Sequence, residues 1–259
     1  MTLLDEIPDA ARELARAGRG MRALRLLDAG DADNPRIALA AAEVAMELDM
    51  RTGTSEAGAR LTIAERICGP DWDVRFLRLR FDYFAQLLAG GEFAFGPDGK
   101  DPALLAELDQ RAGTLAADAP DAVRAGWAHM YHGLILDNLL ADRAAAPPHY
   151  AIALRAGETG GDDPLTWEAL RHLGDHDRDG GDLTRARERW ERATALAAGS
   201  GAVGATLAQQ MLLAVMARDT GDEAGSVALA REISRWSSAT GAVRLHRQAE
   251  TFLAGRAVA

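Results

Sequence analysis

Residues 164–196 read PLTWEALRHLGDHDRDGGDLTRARERWERATAL, and this stretch decides the fold. Asp163-Pro164 supplies a helix N-cap followed by proline at the first helical position. A helix then runs through Leu173-Gly174 until Gly181-Asp182-Leu183 breaks it. A second helix carries Ala186, Trp190, Ala193 and Leu196. Two helices joined by so short a turn lie antiparallel. Their small residues, Gly174, Ala186 and Ala193, let the backbones approach, and the large ones plug the gap to the next unit.

Moving outward, the same device returns in weaker form. Residues 206–233 have the turn Thr220-Gly221-Asp222, followed by Ser226 and Ala230. Residues 126–154 contain Trp127-Ala128, Gly133, Ala146, Tyr150 and Ala153, with one extra residue in the turn. Near the N-terminus, Ala17-Gly18-Arg19 leads to Ala23 and Leu27, and Gly53 leads to Ala59 and Ile63. Breaks such as Ala29-Gly30-Asp31 and Cys68-Gly69-Pro70-Asp71 fall between helices. Runs of alternating β-branched residues are absent, so the expected class is all-α.

These intervals resemble the tetratricopeptide repeat (TPR) family. In that pattern a Leu-Gly pair in the first helix precedes a Gly-Asp turn, and a small residue, an aromatic and another small residue follow. The match is most specific over 164–196. The resemblance implies a single domain over 1–259, a right-handed superhelical array of antiparallel helix hairpins. About six hairpins are expected, each burying its apolar face only by stacking on its neighbours, plus a capping helix over 241–254. The family's period is about 34 residues, so several units here are stretched. Residues 71–118 depart most. Their first helix carries Phe81 and the stripe Trp72, Phe76, Tyr83 and Phe84, which is read as core, and an insert loop follows over 90–101. Within it, Phe93-Ala94-Phe95 is read as a packing plug in preference to a lid over a groove.

Composition narrows the function classes. The 259 residues are 48% hydrophobic but only 5% aromatic, with 39 acidic against 29 basic residues and a net charge of −10. An acidic chain lacks the basic face that displaces counterions from nucleic acid, so no nucleic-acid partner is expected. Lys100 is the only lysine. A single cysteine, Cys68, rules out intrachain disulfides and multi-cysteine metal sites. The acidic start MTLLDEIPDA does not read as a secretory signal, and no apolar run approaches the length of a membrane span. A bacterial cytoplasmic location is the default expectation, with no membrane partner. No phosphate-binding or dinucleotide-binding loop and no Gly-x-Ser-x-Gly elbow is present. No cofactor or metal is therefore expected.

The resemblance also implies that ligands lie on a concave face lined by the first helix of each unit. In that register Trp127, Arg171 and Asp175 face the ligand. Asp137-Asn138, Arg178-Asp179 and Arg218-Asp219 occupy matching positions and form a ladder of charged and amide groups. Arginine in such a ladder offers bidentate contacts to carboxylates. The bland alternative is a set of helix-end salt bridges in solvent. A second constellation is polar: His129, His132, His172, His176 and Asp177, with His149 nearby. His129/His132 and His172/His176 stand at spacings that share one helix face. Asp177 falls where a large apolar residue belongs, so burial there requires a partner, either His132 or a nearby arginine. This cluster reads as a structural network, a small-ligand pocket, or a metal or acid/base site. HLGDHDRD is not the HExxH motif of zinc hydrolases. The leading expectation is a non-enzymatic scaffold that binds a peptide or partner-protein segment in its groove. The alternative is a small-molecule sensor or enzyme built on the histidine/aspartate cluster.

Overall fold

The computed structural model describes residues 6–88 and 93–255. Among these are thirteen α-helices, one π-helical turn and no strand. The helices are α1 (Ile7–Arg16), α2 (Gly20–Asp28), α3 (Pro35–Thr52), α4 (Ala57–Cys68), α5 (Trp72–Leu87), α6 (Pro102–Ala117) and α7 (Ala122–Leu134). The π-turn Ile135–Leu139 follows. Then come α8 (Ala146–Gly160), α9 (Asp163–Asp179), α10 (Leu183–Gly199), α11 (Val203–Asp219), α12 (Glu223–Ala239) and α13 (Val243–Leu253). Among the described residues, no helix is long and apolar enough to cross a membrane.

Turn chemistry sets the rhythm of the second half. Gly161, Gly181, Gly201, Gly221 and Gly241 all take positive φ, so a left-handed glycine recurs every twenty residues. Such a residue ends a helix at little steric cost and turns the chain back. Helices α9 to α12 are each 17 residues long as a result.

The chain divides into two compact units, Met1–Pro70 with Ala197–Ala259, and Asp71–Leu196. In the first, α1 to α4 pack consecutively, as do α11, α12 and α13. Asn34 caps α3, its side chain accepting from the backbone N–H of Arg36 and Ile37, with Pro35 behind it. Leu207, Met211, Ile233 and Phe252 form the apolar centre of α11 to α13. The helix expected as a C-terminal cap, α13, packs on α12 and also touches α3.

In Asp71–Leu196, α5 to α9 also pack in chain order. Two glycines are met by aromatic rings. A Cβ on Gly174 would stand 2.5 Å from the Trp190 indole, and one on Gly133 would stand 2.6 Å from the Tyr150 ring. Ala146, Ala153, Ala186 and Ala193 are fully buried beside these contacts. Small residues thus bring the helices together and an aromatic fills each joint, as the spacing in 126–154 and 164–196 predicts.

The insert loop departs from its expectation. Residues 90–92 lie outside the described residues. The remainder does not plug the core: Phe93 is 43% and Phe95 52% exposed, and the two rings stack on each other. The loop's polar groups explain its outward set. Gly96 N–H donates to the Asn138 carbonyl at 2.8 Å, and Lys100 Nζ donates to the carbonyls of Ala94 and Gly96. Backbone satisfaction anchors the loop on the π-turn while its rings face away.

Candidate functional site

The π-turn places the central residue of the site. Leu140 N–H donates to the Ile135 carbonyl at 3.0 Å, closing the wider ring of a π-helix. The stretch 126–154, which carries one residue more in its turn than 164–196, has both this π-turn and a longer connection over 140–145. Two residues later Ala141 takes φ 56°, a conformation a side chain rarely adopts. Asp142 N–H then reaches back to the Leu136 carbonyl, fixing the exit. The widened turn rotates Asp137 and Asn138 onto neighbouring helices.

Asp137 becomes a shared acceptor. Its side chain is only 6% exposed. One oxygen accepts from Arg143 Nη1 at 3.0 Å; the other takes the Tyr150 hydroxyl at 3.2 Å and lies 3.0 Å from His176 Nε2. Burial opposes ionisation of Asp137, but His176, Arg143 and His172 outweigh it and hold the carboxyl below its ordinary pKa. Tyr150 is pushed the other way, by burial first and then by Asp137, so its phenol stays protonated and donates. Asn138 Nδ2 donates to the Tyr83 hydroxyl at 2.7 Å. Burial of Tyr83 raises its pKa as well.

Helix α9 supplies the facing residues. His172 stacks on the Tyr150 ring at 5.1 Å, and its Nδ1 lies 3.6 Å from Asp175. Burial, reinforced by Arg171, lowers the His172 pKa to about 3. Burial also raises Asp175, aided by Asp179 and Asp137, to about 6. Both partners of this pair are moved toward their neutral forms, because crowding costs the charges more than their mutual attraction returns. Arg171 lies 4.0 Å from Glu168, and its buried Nε has no partner among the described residues.

The expected ladder is built in part. Arg143, which the sequence reading did not single out, bridges Asp137 to Asp179. Two matching positions are therefore joined, through a loop residue between them in the chain. Arg178 ends α9 beside Asp179. The third rung, Arg218-Asp219, belongs to the other unit. There Arg218 lies over the Phe252 ring at 3.6 Å, donates to the Phe252 carbonyl and pairs with Glu223. Its guanidinium ties α11 to α13. Trp127 donates its indole N–H to Asp162 at 3.3 Å, at the start of α9.

The histidines separate into two groups on either side of the consecutive residues His149 and Tyr150 of α8. His172 and His176 join Tyr150 and Asp137. His129 Nδ1 lies 3.0 Å from His149 Nδ1, and the His132 and His149 rings are 4.2 Å apart. His132 Nε2 contacts Asp109 at 2.8 Å. Asp177 finds its partner among the arginines: Arg189 Nη1 stands 2.8 Å away, while donating to the Leu173 carbonyl. Among the described residues, no group of three or more His, Cys, Asp or Glu side chains is arranged to hold a metal ion.

Tyr83, Arg143 and the hydroxyl of Tyr150 are the site members that sequence reasoning did not assign. Tyr83 was legible only as an aromatic at core spacing, and its hydroxyl acquires meaning through a partner 55 residues away. Arg143 sits in a connecting loop, where no periodicity points. No protein-family model matches the chain, and no curated protein matches it either.

Proposed function

We propose that the chain is a tetratricopeptide-like binding module without catalytic activity. It takes a peptide or partner-protein segment through the polar site around Asp137. The observation that carries this reading is the π-turn. Residues 164–196 achieve the same helix packing with a regular glycine turn, so stacking does not require the irregular backbone of Ile135–Leu139. Here a widened turn followed by a left-handed alanine delivers a carboxylate and an amide to a shared polar centre. Preorganised groups on rigid helices then meet an extended segment at low entropic cost.

The test is selection of a displayed peptide library against the protein at neutral pH. Enriched peptides, synthesised and titrated by fluorescence anisotropy, should bind wild type and bind Asn138→Ala at least about tenfold more weakly, a loss of about 1.4 kcal/mol. Failure to enrich any sequence, or equal binding by the variant, overturns the reading.

One observation favours the alternative of a small-molecule sensor or enzyme. Asp175, raised to about 6 beside a neutral His172, changes charge close to neutral pH, as acid/base groups in functional sites do. A thermal-shift screen against small organic acids, amines and nucleotides addresses it. A ligand-induced rise in Tm abolished by Asp175→Asn would replace the peptide reading with this one.

A further inference from the structure

A second cluster lies one residue away from the site on both helices that build it. His132 precedes Gly133 in α7, and His149 precedes Tyr150 in α8. Gly133 and Tyr150 form the close joint of this hairpin. The same two helices are therefore linked twice, by an apolar contact and by a set of imidazoles.

The imidazole link tolerates few protons. His129 Nδ1 and His149 Nδ1 face each other at 3.0 Å, so one must be bare to accept from the other. With both protonated, two N–H groups point at one another. The His132 ring is 4.2 Å from His149. The groups acting on His149 are His132 and His129 from α7 and Asp109 from α6; no charged group of α9 is among them. Among the described residues, Asp109 is the one opposite charge acting on His149, and it is already engaged with His132. A proton on His129 or His149 therefore meets no free counter-charge among the described residues. Two imidazolium charges on rings 4.2 Å apart repel directly across the contact between α7 and α8.

We infer that His129, His132 and His149 form an acid-sensitive latch that holds α8 against α7, and that protonation releases Tyr150 from Gly133 and Asp137. As regulation of the site proposed above, this rests on that reading. Above the release point the hairpin is closed and Tyr150 completes the centre. Below it, α8 shifts away from the π-turn and the site loses its hydroxyl donor. Burial and mutual repulsion lower both His129 and His149, the latter to about 4, so release falls on the acid side of ordinary histidine titration.

The experiment follows the backbone amides of Gly133 and Tyr150 by NMR from pH 7.5 to 4.0 in the full chain. In wild type both should shift cooperatively between pH 6 and 4. In His149→Gln, which keeps a hydrogen-bonding side chain but carries no charge, the shift should disappear or move down by at least one pH unit. His129→Gln relieves the same repulsion from α7 and serves if the first variant does not fold. Identical titrations in wild type and both variants would overturn the latch, assigning the movement to Asp137, His176 or Asp175. An immobile Gly133 in wild type while the imidazole resonances titrate would overturn it as well. The ligand arm uses one peptide recovered by the library selection, measured at pH 7.5 and 4.0. Wild type should lose affinity more than about tenfold, and His149→Gln less than about threefold. If no peptide binds at pH 7.5, the binding reading fails while the amide titration still decides the latch. If both proteins lose affinity equally, binding stands and the latch does not.

Discussion

The hairpins 126–154 and 164–196 share one joint and put it to different ends. In 164–196, Trp190 fills the space over Gly174 and donates its indole N–H to the Arg171 carbonyl at 3.0 Å. The polar tip of the aromatic is closed off inside its own hairpin. In 126–154, Tyr150 fills the space over Gly133, but its hydroxyl passes to a carboxylate in the π-turn. The buried carboxylates differ in kind too. Asp177 faces two arginines of one neighbouring helix, Arg189 at 2.8 Å and Arg185 at 3.7 Å. Asp137 gathers an arginine, a histidine and a tyrosine from three segments. A widened turn and an aromatic with a hydroxyl make a packing joint into a polar centre.

The comparison breaks hardest at its shared element. Trp190→Ala should cost about 3–5 kcal/mol in urea denaturation, since it empties a fully enclosed joint. A smaller loss would mean that the hairpin collapses into the space and that the aromatic is not the keystone of the regular unit. Asp137→Asn comes next, at about 2 kcal/mol. It removes the negative charge from a 6% exposed position while Arg143 and His176 remain. If Asp137→Asn were neutral, the two hairpins would differ in shape only, not in the energetics of their polar groups.

The smallest effect has the opposite sign. Asp175 holds its proton up to about pH 6 in the native chain, above the ordinary carboxylate range. Native protein therefore binds more protons than the unfolded chain between about pH 4 and 6, and stability falls as pH rises through that window. Asp175→Asn should stabilise the chain by about 1 kcal/mol at pH 7 and by nothing below pH 4, since solvent screens part of the cost. Thermal unfolding at the two pH values checks it. Equal Tm differences at both would show that Asp175 carries no native-state penalty.

Much of this is legible in the sequence. The joints of Tyr150 and Trp190 follow from spacing, because a glycine and an aromatic at fixed intervals on two helices have one close-packed solution. The need of Asp177 for a partner followed from its apolar position, although the choice between His132 and an arginine did not. The turn of 126–154 was visible as one residue too long. The π-turn there was not, because local sequence does not say whether a longer connection widens a helix or lengthens a loop. Phe93 and Phe95 misled for a related reason. Aromatic content argues for burial, but the hydrogen bonds of Gly96 and Lys100 fix the backbone so that the rings point outward. Arg218 matched Arg178 in register, yet an aromatic ring 34 residues further along the chain claimed its guanidinium.

Sequence by itself determined the helical class, the places where the chain turns and which small residues let helices meet. These depend on backbone preference and on periodicity, which are local. Tertiary structure alone decided which charges pair, which histidines share a proton and where the two compact units divide. Those outcomes depend on distances of a few ångströms between residues far apart in the chain, and on burial that shifts each group's charge only once its neighbours are in place.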